Sequence, residues 1–144
     1  MPSAPRSLAD RLAIRETIER YFAGLDRRDG EWIAGAFTQD AEGEINAFGR
    51  KNVFRGRAAF GNFAKGMAQY ASSNHALSNV RIVVDGDRAT SDTYAIAHLL
   101  DKDKIMVRGL QYVDELVRES DGWRIARRTH NTLWQYDVPS TPLR

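Results

Sequence analysis

Three side chains carry the makings of a proton-transfer site. His75 opens the apolar run Asn74-His75-Ala76-Leu77-Ser78-Asn79-Val80-Arg81-Ile82-Val83-Val84. Asp26 stands where a long helical pattern ends, and Tyr21 lies five residues before it on the apolar side of that pattern. Histidine titrates near neutrality; a carboxylate bonded to one ring nitrogen fixes the tautomer and strengthens the other nitrogen as a base. A carboxylate at a helix C-terminus opposes the dipole, so Asp26 either faces solvent or is held by a positive partner. A buried tyrosine hydroxyl donates a hydrogen bond to a carbonyl or a departing hydroxyl. Together these groups support proton abstraction beside a leaving group or a carbonyl, with no metal or organic cofactor required. Five residues subtend about 140° on a helix, so Tyr21 and Asp26 share one pocket only if the last turn is distorted.

Each member also has a plainer reading: His75 as a satisfied strand residue, Asp26 as a surface charge, Tyr21 as core. His98, inside Tyr94-Ala95-Ile96-Ala97-His98-Leu99, reads as a second cavity side chain or as a hydrogen-bonded core histidine. His130 reads as pocket wall or rim, with rim preferred. The three histidines do not cluster at ligating spacings, and there is no cysteine, so no metal site is expected. Phosphate-binding and dinucleotide-binding glycine loops, zinc-protease motifs and nucleophile elbows are absent.

The elements that must position these groups follow from the hydrophobic period. Residues 1–6 read as a loose arm, Ser7 as a cap, and Leu8 to Leu25 as an amphipathic helix with Asp10 in its first turn. Gly30 is the expected left-handed terminator. A short helix with Trp32, Ile33, Ala36 and Phe37 on its buried side follows. Next come a strand over Ala41–Phe48, a loop over Gly49–Asn52 and a third helix over Ala58–Tyr70, weakened by Gly61 and Gly66. From His75 the period turns to two: four long runs, with turns at Asp85-Gly86-Asp87, Asp101–Lys104 and Glu119–Gly122, predict an antiparallel meander. Helices first and strands after argue an α+β fold, a strongly curved antiparallel sheet packed on three N-terminal helices. Residues 137–144 read as a tail of one domain spanning 1–144. The cavity of such a cone takes its walls from Tyr21, Phe22, Trp32, Phe54, Phe60, Phe63 and the inward face of the sheet.

Composition narrows the partners. The chain has 144 residues, 42% hydrophobic and 28% charged, with 21 Lys plus Arg against 19 Asp plus Glu. That balance points away from nucleic acid and acidic membranes. Met1–Arg6 lacks the apolar run of a signal peptide and no segment reaches membrane-spanning length, so a cytoplasmic protein is expected. Tyr94, Tyr112, Trp134 and Tyr136 give the sheet more apolar surface than one core absorbs, which predicts a homo-oligomer.

The ordered pieces Asp10–Glu16, Tyr21–Asp29, Phe37–Ala41, His75–Val80 and Asp121–Arg128 resemble the SnoaL-like branch of the nuclear transport factor 2-like superfamily. The likeness spans about Leu8 to Trp134. Within it the chain is similar to the hexachlorocyclohexane dehydrochlorinase, bile-acid 7α-dehydratase and scytalone dehydratase group. That resemblance implies a cone-shaped fold and an aspartate late in the first helix paired with a histidine opening a central strand, positions that fall on Asp26 and His75. It also implies a tyrosine at Tyr21, as in the bile-acid dehydratases; the dehydrochlorinase has lysine there. It further implies a pocket arginine at Arg128, and dimers or trimers. The expected function is a cofactor-independent lyase of dehydratase type on a small, largely apolar cyclic or polycyclic substrate. The alternatives are an isomerase or cyclase, or a non-catalytic ligand-binding or oxygenase small-subunit scaffold.

Overall fold

The computed structural model describes residues 4–141. Helix α1 runs Ala4–Arg27 and buries Ile14, Ile18, Tyr21, Phe22 and Leu25, while Leu8 and Leu12 stay exposed. The apolar stripe thus packs from Ile14 onward. The expected loose arm gives Ala4–Arg6 to this helix, and Ser7 lies inside it and does not cap it; Met1–Ser3 fall outside the described residues. Pro5 is tolerated because first-turn N–H groups have no intrahelical partner. Asp10 does more than complement the dipole. Its carboxylate takes two bonds from Arg118, at 2.6 and 2.8 Å, and one from Trp123 Nε1 at 3.2 Å. Those bonds fasten the start of the helix to the sheet.

The helix ends in a Schellman motif. Arg28, not Gly30, takes the left-handed conformation, with φ 57°. Its N–H reaches Leu25 O at 3.1 Å, and Asp29 N reaches Gly24 O at 2.9 Å. Asp29 then caps α2 (Gly30–Ala34) by accepting from Trp32 N.

Strand β1 (Phe37–Ala47) turns into β2 (Arg50–Arg55), so most of the expected loop is strand. The two-residue turn has φ 52° at Phe48 and 74° at Gly49, the positive pair that a type I′ hairpin requires. The expected third helix is broken into α3 (Arg57–Gly61) and α4 (Phe63–Met67). Strands β3 (Ser72–Asp85), β4 (Arg88–Asp101), β5 (Lys104–Glu119) and β6 (Gly122–Pro139) form the meander. The tail therefore begins later than expected: residues 137–139 belong to β6, Ser140 N bonds Asp103 O, and Pro142–Arg144 lie outside the described residues.

The sheet order is β2-β1-β6-β5-β4-β3. The meander is antiparallel, but β1 joins β6 in parallel, so the sheet is mixed. Bulges at Leu77/Val80 in β3 and at two points between β5 and β6 sharpen its curl around the helices. Tyr112 packs inside that curl at 1% exposure and is no part of the outer surface.

Under the helices lies a buried ion pair. Arg128 of β6 donates from Nε and Nη2 to Asp114 of β5, at 2.8 and 2.7 Å, with both residues 2% exposed or less. Rings of Tyr21, Tyr112 and Phe37 cover the guanidinium at 4.3, 4.7 and 5.4 Å. Burial opposes the charge of Arg128, and Asp114 outweighs it, holding the group above its ordinary pKa.

Two outcomes follow. Asp114→Ala strands a buried guanidinium and should destabilise the fold by about 3–5 kcal/mol in urea unfolding. Asp10 is held below the usual carboxylate range, chiefly by its bonds to Arg118 against the opposing effect of burial. Its contribution is therefore full above the unfolded carboxylate pKa and is lost as pH falls through the lower folded value. Asp10→Asn should lower the melting temperature by about 4 °C or more at pH 7, and that gap should close toward pH 2, as read by thermal circular dichroism.

Candidate active site

The C-terminal turn of α1 aims Asp26 at the opening of β3. Ser73 and His75 alternate along that strand, so both face the same carboxylate. Asp26 Oδ2 accepts from His75 N at 2.8 Å, and Oδ1 accepts from Ser73 Oγ at 2.9 Å. His75 Nδ1 lies 2.6 Å from Oδ1, with the imidazole side chain 5% exposed. Burial pushes the Asp26 carboxyl up, but the bonds from the His75 ring, the His75 N–H and Ser73 win, and the group sits below its ordinary pKa. An ionised carboxylate only accepts, which assigns the Nδ1 proton to the neutral ring and leaves Nε2 with a lone pair. Arg28 braces the turn by donating to Asp26 O at 2.9 Å and Tyr70 O at 2.7 Å.

Between the α1 terminus, α4 and the concave sheet face lies a cavity of about 280 Å³. His75, Tyr21 and Phe63 line it, with Leu25, Met67, Leu99, Leu110 and Tyr112 making most of the apolar wall. Asp26 is not among its walls; it stands behind His75. The 140° offset between Tyr21 and Asp26 needs no distorted turn, because the imidazole bridges the angle. Burial raises the Tyr21 phenol pKa, with Arg128 opposing, so the hydroxyl remains a neutral donor. Among the described residues no three His, Cys, Asp or Glu side chains converge as metal ligands.

The other expected cavity residues divide. Arg128 is ion-paired beneath the cavity floor, behind Tyr21 and Tyr112, and does not line it. His98 is exposed on the opposite sheet face, because strand parity turns Ala97 and Leu99 inward. Phe22 is core, its ring 5.8 Å from the His75 ring. Phe60 stacks on Phe37 at 3.9 Å, and Phe54 packs edge-on to Phe63. Trp32 is 39% exposed under the guanidinium of Arg20 and lies away from the cavity. His130 is wall and not rim: it lines the cavity with its ring 4.5 Å from Tyr112. Burial first, then the charge of Arg128, pushes its pKa down to about 3, so it is a neutral imidazole.

Among the lining residues that went unread in the sequence are Tyr112, unread as a wall, and Arg108, unread altogether. The signal was parity: Arg108, Leu110 and Tyr112 alternate on one face of β5.

Residues 6–129 match the family model of the SnoaL-like domain. Over 140 residues the chain is 31% identical to the uncharacterized protein Rv2910c of Mycobacterium tuberculosis, covering 89% of this chain and 88% of that one. A Novosphingobium aromaticivorans protein assigned as a scytalone dehydratase superposes with TM-score 0.81 at 22% identity, over 94% of this chain and 91% of that one. A type 2 hexachlorocyclohexane dehydrochlorinase superposes with TM-score 0.80 at 20% identity, over 98% and 95%. At those identities the structural likeness is one of fold, while the family match and the mycobacterial relative extend over most of the sequence. The chain belongs to the SnoaL-like domain family.

Proposed function

We propose that the protein is a cofactor-independent lyase of dehydratase type, acting in the cytoplasm on a small, largely apolar cyclic compound. The observation that carries this reading is the His75 imidazole, tied through Nδ1 to Asp26 at 2.6 Å while lining an otherwise mainly apolar cavity. Nε2 of His75 takes the proton from substrate carbon, the C–H electron pair forms the new double bond as the C–O bond breaks, and the imidazolium returns the proton to the departing hydroxide, which leaves as water. Asp26 holds the ring in the required tautomer and stabilises the imidazolium as it forms. The buried Tyr21 hydroxyl hydrogen-bonds the leaving oxygen as charge develops on it. Two proteins of the same fold are named for eliminations, a dehydratase and a dehydrochlorinase, which supports this class over others. A cavity near 280 Å³ sits at the low end of small-molecule sites, which favours one or two rings over a larger polycycle. Among the described residues no helix is long and apolar enough to cross a membrane.

His75→Ala should lower turnover of the true substrate by about two to four orders of magnitude while the far-UV circular dichroism stays native. Asp26→Asn should fall in the same range, because the charge facing the imidazolium is gone. Tyr21→Phe should lose about tenfold, one hydrogen bond's worth. Near-wild-type turnover by folded His75→Ala would remove the proton-transfer role.

A second copy completes the assembly in this reading. The outer sheet face exposes Tyr94, Ile96, Trp134 and Tyr136, an apolar patch with Trp134 and Tyr136 stacked at 5.8 Å. Light scattering at micromolar concentration should give two or three times the mass of one chain, and Trp134→Glu should shift it toward monomer.

A further inference from the structure

The proposed reaction leaves one charged wall of the cavity without a task. Arg108 is the only Lys or Arg lining it among the described residues. Its Nε donates to Gln135 Oε1 at 2.6 Å, which fixes the stem and leaves the two terminal nitrogens. No carboxylate of the described residues lies within ion-pair distance of that guanidinium. The deeply buried Arg128, on the same sheet face, is treated otherwise: it is matched to Asp114. A half-buried cation with no counter-charge wants an anion from outside the chain.

Strand register locates that anion relative to the base. On the concave face His75 of β3 pairs with Ala97 of β4, Ala97 with Arg108 of β5, and Arg108 with Gln135 of β6. Neighbouring strands are about 4.8 Å apart, so His75 and Arg108 stand about 10 Å apart along this row. Ala97 is the residue between them on this row. Leu99 and Leu110, on neighbouring rungs, make the surroundings of that gap apolar. His130, the nearby imidazole, has a buried Nε2 without a protein partner and adds no positive charge.

We propose that Arg108 selects an acid: the substrate is a one- or two-ring compound whose carboxylate binds the terminal nitrogens of Arg108. Its ring lies over Ala97 and carries the reacting C–H to His75. The planar guanidinium fork suits a carboxylate held by two parallel bonds. This inference rests on the cavity being the reaction site proposed above, and it adds the substrate class.

Titration calorimetry with 2-naphthoate and its uncharged isostere 2-naphthamide tests it. The wild type should bind the acid about tenfold or more tightly than the amide. Arg108→Gln should erase that preference by weakening the acid alone, and Arg108→Lys should restore part of it, with circular dichroism checking the fold of each. Equal affinity for both probes, no binding of either up to their solubility, or equal loss of both in Arg108→Gln would overturn the proposal. His75→Ala should keep the preference for the acid. A preserved preference beside undiminished turnover in that variant would reject the reaction and leave the acid site standing. A strict need for His75 with no acid preference would do the reverse.

Discussion

The pairing of Arg128 with Asp114 is the interaction on which the rest of this molecule depends. Two adjacent strands hold opposite charges in the centre of the fold, where neither meets water. Such a pair adds little stability compared with a well-packed apolar alternative, but breaking it is severe. Its strength here lies in constraint. The guanidinium must sit flat under Tyr21, Tyr112 and Phe37, which come from α1, β5 and β1. Helix, meander and the parallel strand β1 are thereby fixed to one point. The tyrosine rings above it become the floor of the cavity.

The second constraint is the carboxylate of Asp26. It receives the imidazole, the backbone N–H of His75 and the Ser73 hydroxyl, so it ties the end of α1 to the first residues of β3. The same bonds orient the ring that faces the cavity. Structure and chemistry share one group here: a change that loosens the helix end also turns the imidazole. Arg28, forced left-handed by the Schellman turn, adds a clasp from that helix end to Tyr70.

The sheet supplies the remaining logic through parity. Each strand gives alternate residues to the concave face, and the bulge near Leu110 inserts Leu133 into β6. That extra residue lets Gln135 meet Arg108 within the curl while Trp134 and Tyr136 turn outward. A single irregularity therefore serves both faces, bracing a cation inside and gathering aromatic surface outside.

Much of this was legible in the chain itself. Period 3.6 gave way to period 2 at His75, turn residues bounded four long strands, and a histidine opened the first of them, because local sterics and burial write those patterns directly. The Asp26–His75 proximity was legible through the order of motifs that resemble a known family. Other features were decided only by folding. Asp10 read as a carboxylate in the first turn, and only folding brought it Arg118 and Trp123 from more than a hundred residues away. Arg128 looked like a pocket arginine, and only the register of β5 against β6 set Asp114 opposite it. His98 fell outside the cavity and the unread Arg108 lined it for the same reason: a residue's type does not say which face of a curved sheet it joins, and that choice belongs to strand pairing across the whole fold.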